Sequence, residues 1–110
     1  PQISPTNATQ YYQRVTESLG GRDKLHDSYR LFMAPGVAHC AGGPGPNSFD
    51  MISTLEAWVE RGEAPDSIIA VHRTDGEVDR SRPLCPFPEE AVYTGAGSTD
   101  EAENFVCRLP

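Results

Sequence analysis

The sequence predicts an α/β chain in the order helix, strand, helix, strand, followed by an irregular tail closed by a disulfide. Three observations carry this expectation. Apolar residues recur at helical spacing in two stretches, NATQYYQRVTESLGG and NSFDMISTLEAWVERGEAP. Two short runs, YRLFMA and DSIIAVHRT, are rich in aromatic or β-branched residues. Cys85 and Cys107 bracket the least regular part of the chain. Alternation of helices and strands is the cadence of an α/β sheet rather than of a bundle or a sandwich, although two strands alone make no stable sheet of that kind.

The elements follow in order. In the first helix Ala8, Tyr11, Tyr12, Val15 and Leu19 share a face, with Thr6 or Asn7 as N-cap and Gly20 as the stop. A polar connector, RDKLHDS, leads to YRLFMA, which is short and bounded by Pro35-Gly36, and so reads as a buried strand. The loop PGVAHCAGGPGP cannot stay helical with so many glycines and prolines. A second helix follows, capped by Asn47 or Ser48, with Asp50 at its positive end and a buried stripe of Met51, Ile52, Leu55, Trp58 and Val59. Gly62 stops it and Pro65 prevents continuation. The run from Ile68 to Val71 reads as a strand buried on both faces. Beyond Asp75 the pattern loosens, with a short strand at AVYTG and a helical turn at DEAENF.

At 110 residues the chain is one domain at most. A formal net charge of -7 argues against a phosphate-backbone binder, which needs surplus Lys and Arg, so no nucleic acid partner is expected. No apolar run is long enough to cross a bilayer, and PQISPTNATQ lacks the basic and apolar regions of a signal peptide. The chain opens on Pro1 without an initiator methionine, and is expected to be a fragment. Its three cysteines are Cys40, Cys85 and Cys107. Closing the loop of about 20 residues between the last two is worth about 3 kcal/mol on the chain-entropy argument. They are the natural pair, which leaves Cys40 unpartnered beside His39.

His39 lies just past the carboxyl end of the first predicted strand, the edge at which α/β folds gather active sites, and an imidazole there is suited to general-base work. On position alone, a loop histidine that bonds its own turn is the plainer alternative. A disulfide from Cys40 to a partner outside the chain would pin the backbone beside that imidazole; the plainer alternative is a free, buried thiol. Zinc bound by His39, Cys40 and either His72 or Cys85 lacks any C-x2-C or H-x3-H spacing. His26 and His72 read as structural or solvent-facing. Gly42, Gly43 and Gly45 lack the signatures of a phosphate loop or dinucleotide site, and close backbone packing explains them better. Asn7-Ala8-Thr9 fits a glycosylation sequon.

The pattern PG-x-x-HC-x-GGPGP, followed by W-V-E-x-G-x-A-P, resembles the C-terminal part of the tannase and feruloyl esterase family, secreted α/β-hydrolases. RSRPLCPFPEEAVYTGAGSTDEAENFVC is similar to that family's closing segment. The resemblance covers essentially the whole chain. It implies the C-terminal portion of an α/β-hydrolase fold, with residues 1-110 forming the C-terminal part of a single catalytic domain, in a carboxylic ester hydrolase with a serine nucleophile. Carried over, His39 is the triad histidine, Cys40 bonds the cysteine beside the nucleophilic serine, and Cys85 pairs with Cys107. The nucleophile, the oxyanion-hole residues and the substrate-selecting lid lie upstream in family members. The triad acid belongs to a D-x-x-I-x-x-x-N stretch, which PQISPTN matches from the residue after the aspartate, so Asp is expected immediately before Pro1. Asp23, Asp27 and Asp50 are not given that role. The partners implied are the rest of the same polypeptide and an aromatic ester, of the gallate, hydroxycinnamate or terephthalate type. The location implied is secreted or periplasmic. No cofactor is expected in this chain, although the family's lid can carry a structural calcium. Alone, the chain is expected to be inactive. The competing expectation is a non-catalytic exported binding module in which His39 and Cys40 are structural.

Overall fold

The computed structural model describes residues 3–110. Pro1, and with it the start of the acid-motif match, lies outside the described residues. Helix α1 spans Thr6–Ser18. It starts earlier than the capping pattern predicts: Thr6 and Asn7 are inside it, and Pro5 stands at the N-cap with φ -69 and no side-chain cap bond. Proline presets that φ and gives up an N–H that a helix start would leave unpaired in any case. Tyr12 is the buried residue of the predicted face. It meets Tyr29 edge-on at 5.0 Å and Phe87 at 6.0 Å, whereas Tyr11 and Leu19 are exposed. Gly20, at φ 92, ends the helix as expected. The connector contains a single-turn helix, α2 (Arg22–Leu25), that buries Leu25.

The predicted strand YRLFMA is not a strand among the described residues. Phe32 forms one isolated antiparallel bridge with Pro86, and the Phe87 N–H donates to the Leu31 carbonyl at 2.6 Å. An extended segment becomes a strand only when a neighbour takes its backbone donors and acceptors. Here Pro86, which has no N–H, is the partner, and the ladder goes no further.

Helix α3 (Met51–Arg61) has Asp50, not Asn47 or Ser48, as its N-cap. The carboxylate accepts the Ser53 N–H at 3.0 Å. Ser48 is used elsewhere, in a bridge to Val71. Gly62 closes the helix at φ 69. The predicted buried stripe is largely bare: Ile52 is 72% and Val59 76% exposed, and α3 contains no buried residue. The periodicity makes the helix amphipathic, but among the described residues only Trp58 of that stripe is partly covered, with the Arg30 guanidinium 5.3 Å from its ring centre.

Strand β1 (Ile68–Thr74) pairs antiparallel with β2 (Glu77–Leu84), register Ile68↔Leu84, with an irregularity between His72 and Arg73. Asp75 and Gly76 turn the hairpin with φ 52 and 82, both positive, as a two-residue turn matched to strand twist requires. β1 is buried on one face rather than two: Ile68 and Ala70 point in, while Ile69 is exposed. With Leu84, and with Phe32 and Ala34 packed against them, they form a small core.

The tail is more regular than predicted. Besides β2 it contains β3 (Glu90–Tyr93), the 3-10 turn Ala102–Asn104 and β4 (Phe105–Arg108), with β3 and β4 antiparallel. The short strand and the helical turn fall where the sequence places them. Cys85 and Cys107 are bonded, their Cα atoms 5.6 Å apart, fastening the end of β2 to β4. The tail also lies along β2 through Ser81 N–H to the Asp100 carbonyl at 2.8 Å, and Arg82 stacks over Phe105 at 4.1 Å.

Candidate active site

The segment from Ala34 to Asp50 folds back on itself. Gly45 N–H donates to the Gly36 carbonyl at 2.9 Å and Ala38 N–H to the Gly42 carbonyl at 3.0 Å, so residues 36–38 and 42–45 run side by side. At the tip, Ala41 N–H reaches the His39 carbonyl at 2.9 Å, and Cys40 between them holds φ 68. A two-residue hydrogen bond spanning a left-handed residue is the rare, strained form of γ-turn. Strain of this kind costs on the order of 1–3 kcal/mol and gathers where a side chain must be aimed.

The far end of the loop is clamped to the sheet. Asn47 and Ser48 N–H groups both reach the Val71 carbonyl, at 3.0 and 3.1 Å, and Val71 N–H returns to the Ser48 carbonyl at 2.9 Å. Gly45 and Pro46 are buried, whereas His39 and Cys40 are exposed at the tip. Cys40 is a free thiol, its Sγ 3.2 Å from His39 Nδ1 and 4.0 Å from Nε2. Cys40 is thus exposed rather than buried, and its contact with the imidazole is local. Of the predicted site residues, the structure brings His39 and Cys40 together on one tip and pairs Cys85 with Cys107.

The glycines do what close packing requires. A Cβ on Gly45 would collide with the Pro35 carbonyl oxygen and sit 2.9 Å from the Gly36 carbonyl carbon; one on Gly43 would collide with the Gly36 oxygen. Gly42 has open space, and its φ of 84 is the reason for a glycine there.

The other histidines are accounted for away from this tip. His72 Nδ1 lies 2.7 Å from Asp79 Oδ1 across the hairpin, and Thr74 donates to the other carboxylate oxygen at 2.7 Å. The Thr74 hydroxyl first, then His72, holds the Asp79 carboxyl below its ordinary range. Burial, then the Arg30 and Arg22 charges, pushes the His26 imidazole below its ordinary value. Asp50 caps α3, and the Ser53 N–H bond keeps its carboxyl low. Cys85 is committed to its disulfide. Among the described residues no group of three or more His, Cys, Asp or Glu side chains is placed to hold a metal ion, and His39 and Cys40 stand apart from His72 and Cys85. A groove of about 370 Å³ runs beside Met33, Pro35, Arg82, Leu84 and Phe87, and His39 does not line it.

The β1–β2 hairpin and the γ-turn go beyond the elements expected from the sequence. Asp75-Gly76 is a hairpin signal that could have revealed the first. No local signal marks the second, because cysteine has no preference for a left-handed φ.

The family model described as tannase and feruloyl esterase matches residues 1–108. The chain is 44% identical over 111 residues to the mono(2-hydroxyethyl) terephthalate hydrolase of Piscinibacter sakaiensis, covering 98% of this chain and 18% of that protein. It is 37% identical to a probable feruloyl esterase of Arthroderma benhamiae, covering 96% of this chain and 20% of that one. The crystal structure of feruloyl esterase B from Aspergillus oryzae superposes with a TM-score of 0.89 at 26% identity, over 96% of this chain and 24% of that chain. The chain therefore spans about a fifth to a quarter of the relatives it matches. With that family match over residues 1–108 and 44% identity to the terephthalate-ester hydrolase across 98% of this chain, the chain belongs to the tannase and feruloyl esterase family.

Proposed function

We propose that this chain is the histidine-bearing C-terminal part of a secreted α/β-hydrolase that cleaves aromatic-acid esters through a serine nucleophile. The observation that carries the proposal is His39, exposed at the tip of a loop whose backbone is bonded shut and clamped to β1. Membership of a family whose relatives bear esterase names supplies the chemistry. One ring nitrogen of His39 takes the serine proton as the oxygen attacks the ester carbonyl, then returns it to the departing alcohol. In the second half-reaction it takes a proton from water as the hydroxide attacks the acyl-enzyme, and gives it back to the serine. Cys40 bonds the cysteine beside that serine, and the acid that orients the imidazole is supplied by the rest of the same polypeptide. The disulfide and the family relationship both favour an oxidising, exported setting.

The test uses the full-length enzyme. His39→Ala is expected to lower kcat on an aryl ester by about 10⁴-fold or more with the fold intact by circular dichroism. Turnover near the wild-type rate would overturn the assignment. The contact between Cys40 Sγ and His39 Nδ1 favours the competing reading, in which the pair only braces its own turn. Peptide mapping without reduction separates the two: Cys40 joined to a Cys-Ser peptide supports the hydrolase, and Cys40 as a free thiol supports the structural pair.

A further inference from the structure

We infer that Gly45, assisted by Gly43, is a positioning residue for His39, setting the imidazole through backbone-to-backbone contact rather than by touching it. The inference rests on the reading of His39 as the general base. The tip carrying His39 hangs on two short backbone runs, 35–38 and 42–45, held together by only two direct hydrogen bonds, Gly45 N–H to Gly36 O and Ala38 N–H to Gly42 O. Both bonds require the runs to approach more closely than side chains on the inner face allow. At Gly45 the position of a Cβ is already occupied by the Pro35 carbonyl oxygen, with the Gly36 Cα at 3.0 Å; at Gly43 it is occupied by the Gly36 oxygen, with the Ala38 nitrogen at 3.1 Å. These neighbours are backbone atoms and cannot rotate away.

The two positions differ usefully. Gly43 also has a φ of 92, so a side chain there is strained whatever the space; Gly45 has no left-handed φ, and its need for glycine is the close approach alone. Pro44 and Pro46 on either side of Gly45 limit how the backbone could yield, and Pro46 leads into the Ser48–Val71 clamp. A Cβ at Gly45 is therefore relieved by pushing residues 35–38 outward. That displacement starts at Pro35 and Gly36 and is carried to His39 through Val37 and Ala38, whose own N–H is bonded to the Gly42 carbonyl. General-base catalysis tolerates little of this: a shift of about 1 Å in a reacting group costs roughly 10²-fold in rate.

In the full-length enzyme, Gly45→Ala is expected to lower kcat by about 10- to 100-fold with KM within about twofold, since His39 is misplaced while the substrate-selecting lid implied by the family resemblance lies outside this loop. Gly76→Ala, at a hairpin turn with φ 82 and open space, strains the backbone without touching the loop and is expected to leave kcat per folded molecule unchanged. Equal kcat in Gly45→Ala and wild type, or an equal loss in Gly76→Ala, would overturn the inference. A His39→Ala variant with normal turnover would instead overturn the reading on which it rests; an inactive His39→Ala beside a fully active Gly45→Ala would overturn only the inference. Should Gly45→Ala fail to fold, amide exchange of the wild-type enzyme decides. Ala38 and Gly45 amides protected to the level of Val71 support a rigid frame, and exchange at the rate of an open loop refutes it.

Discussion

Cys40 shows most directly how much the site asks of one residue. Its φ of 68 is unfavourable for any side chain with a Cβ, yet it sits inside a two-residue hydrogen bond that keeps it there. Two variants of the full-length protein isolate that cost, because both lack the thiol and so lose any disulfide equally. Cys40→Gly is expected to be more stable than Cys40→Ser by about 1 kcal/mol in urea unfolding, since glycine holds a left-handed φ freely. Equal midpoints would show that the turn carries no strain. His39 and Cys40 were legible as a pair from the sequence, and GGPGP announced close packing. The γ-turn was not legible, because the φ of Cys40 is imposed by the bonds around it rather than by its own chemistry.

Among the elements, the joint between the extended segment at Phe32 and the helix-to-strand connection is held by Arg30. Its side chain is only 7% exposed. Nε donates to the His26 carbonyl at 2.8 Å, one terminal nitrogen donates to the Pro65 carbonyl at 2.7 Å, and the guanidinium lies 5.3 Å from the centre of the Trp58 ring. The Asp66 carboxylate also lies within reach at 3.2 Å, but it is 97% exposed, so solvent screens the ion pair and the carbonyl bonds dominate. Arg30→Met is accordingly expected to cost about 2 kcal/mol in chemical denaturation, and Asp66→Asn less than about 0.5 kcal/mol. Comparable losses from the two would assign the joint to the ion pair instead. At this scale the sequence located α1, α3, their glycine stops and the short strand in the tail, all of which rest on spacing within a turn or two. It failed at β2, whose EVDRSRPL has no apolar alternation to announce a strand, and at YRLFMA, whose strand-like composition finds only Pro86 to pair with.

Taken whole, the described residues bury one small cluster, Ile68, Ala70 and Leu84, with Tyr12 and Leu25 buried apart from it, and to this burial are added fastenings between hairpins. The largest of these is the disulfide closing a sequence separation of 22. Replacing both cysteines in Cys85→Ala/Cys107→Ala is expected to cost about 3 kcal/mol in urea unfolding. A loss under about 1 kcal/mol would mean that the β2–tail hydrogen bonds suffice. The exposed stripe of Met51, Ile52, Leu55 and Val59 on α3 belongs to the same scale, since what covers a helix depends on the assembled fold and not on the helix. The sequence by itself determined the local facts: the two amphipathic helices, the glycines that stop them, the cysteine pair, and a His-Cys-GGPGP pattern specific enough to indicate the family. Only the tertiary structure decided which segments found strand partners, which apolar faces were covered, and how His39 is presented. Helical spacing and capping act within a few residues of chain, whereas ladders, burial and the approach of one backbone to another depend on residues that sequence distance does not bring together.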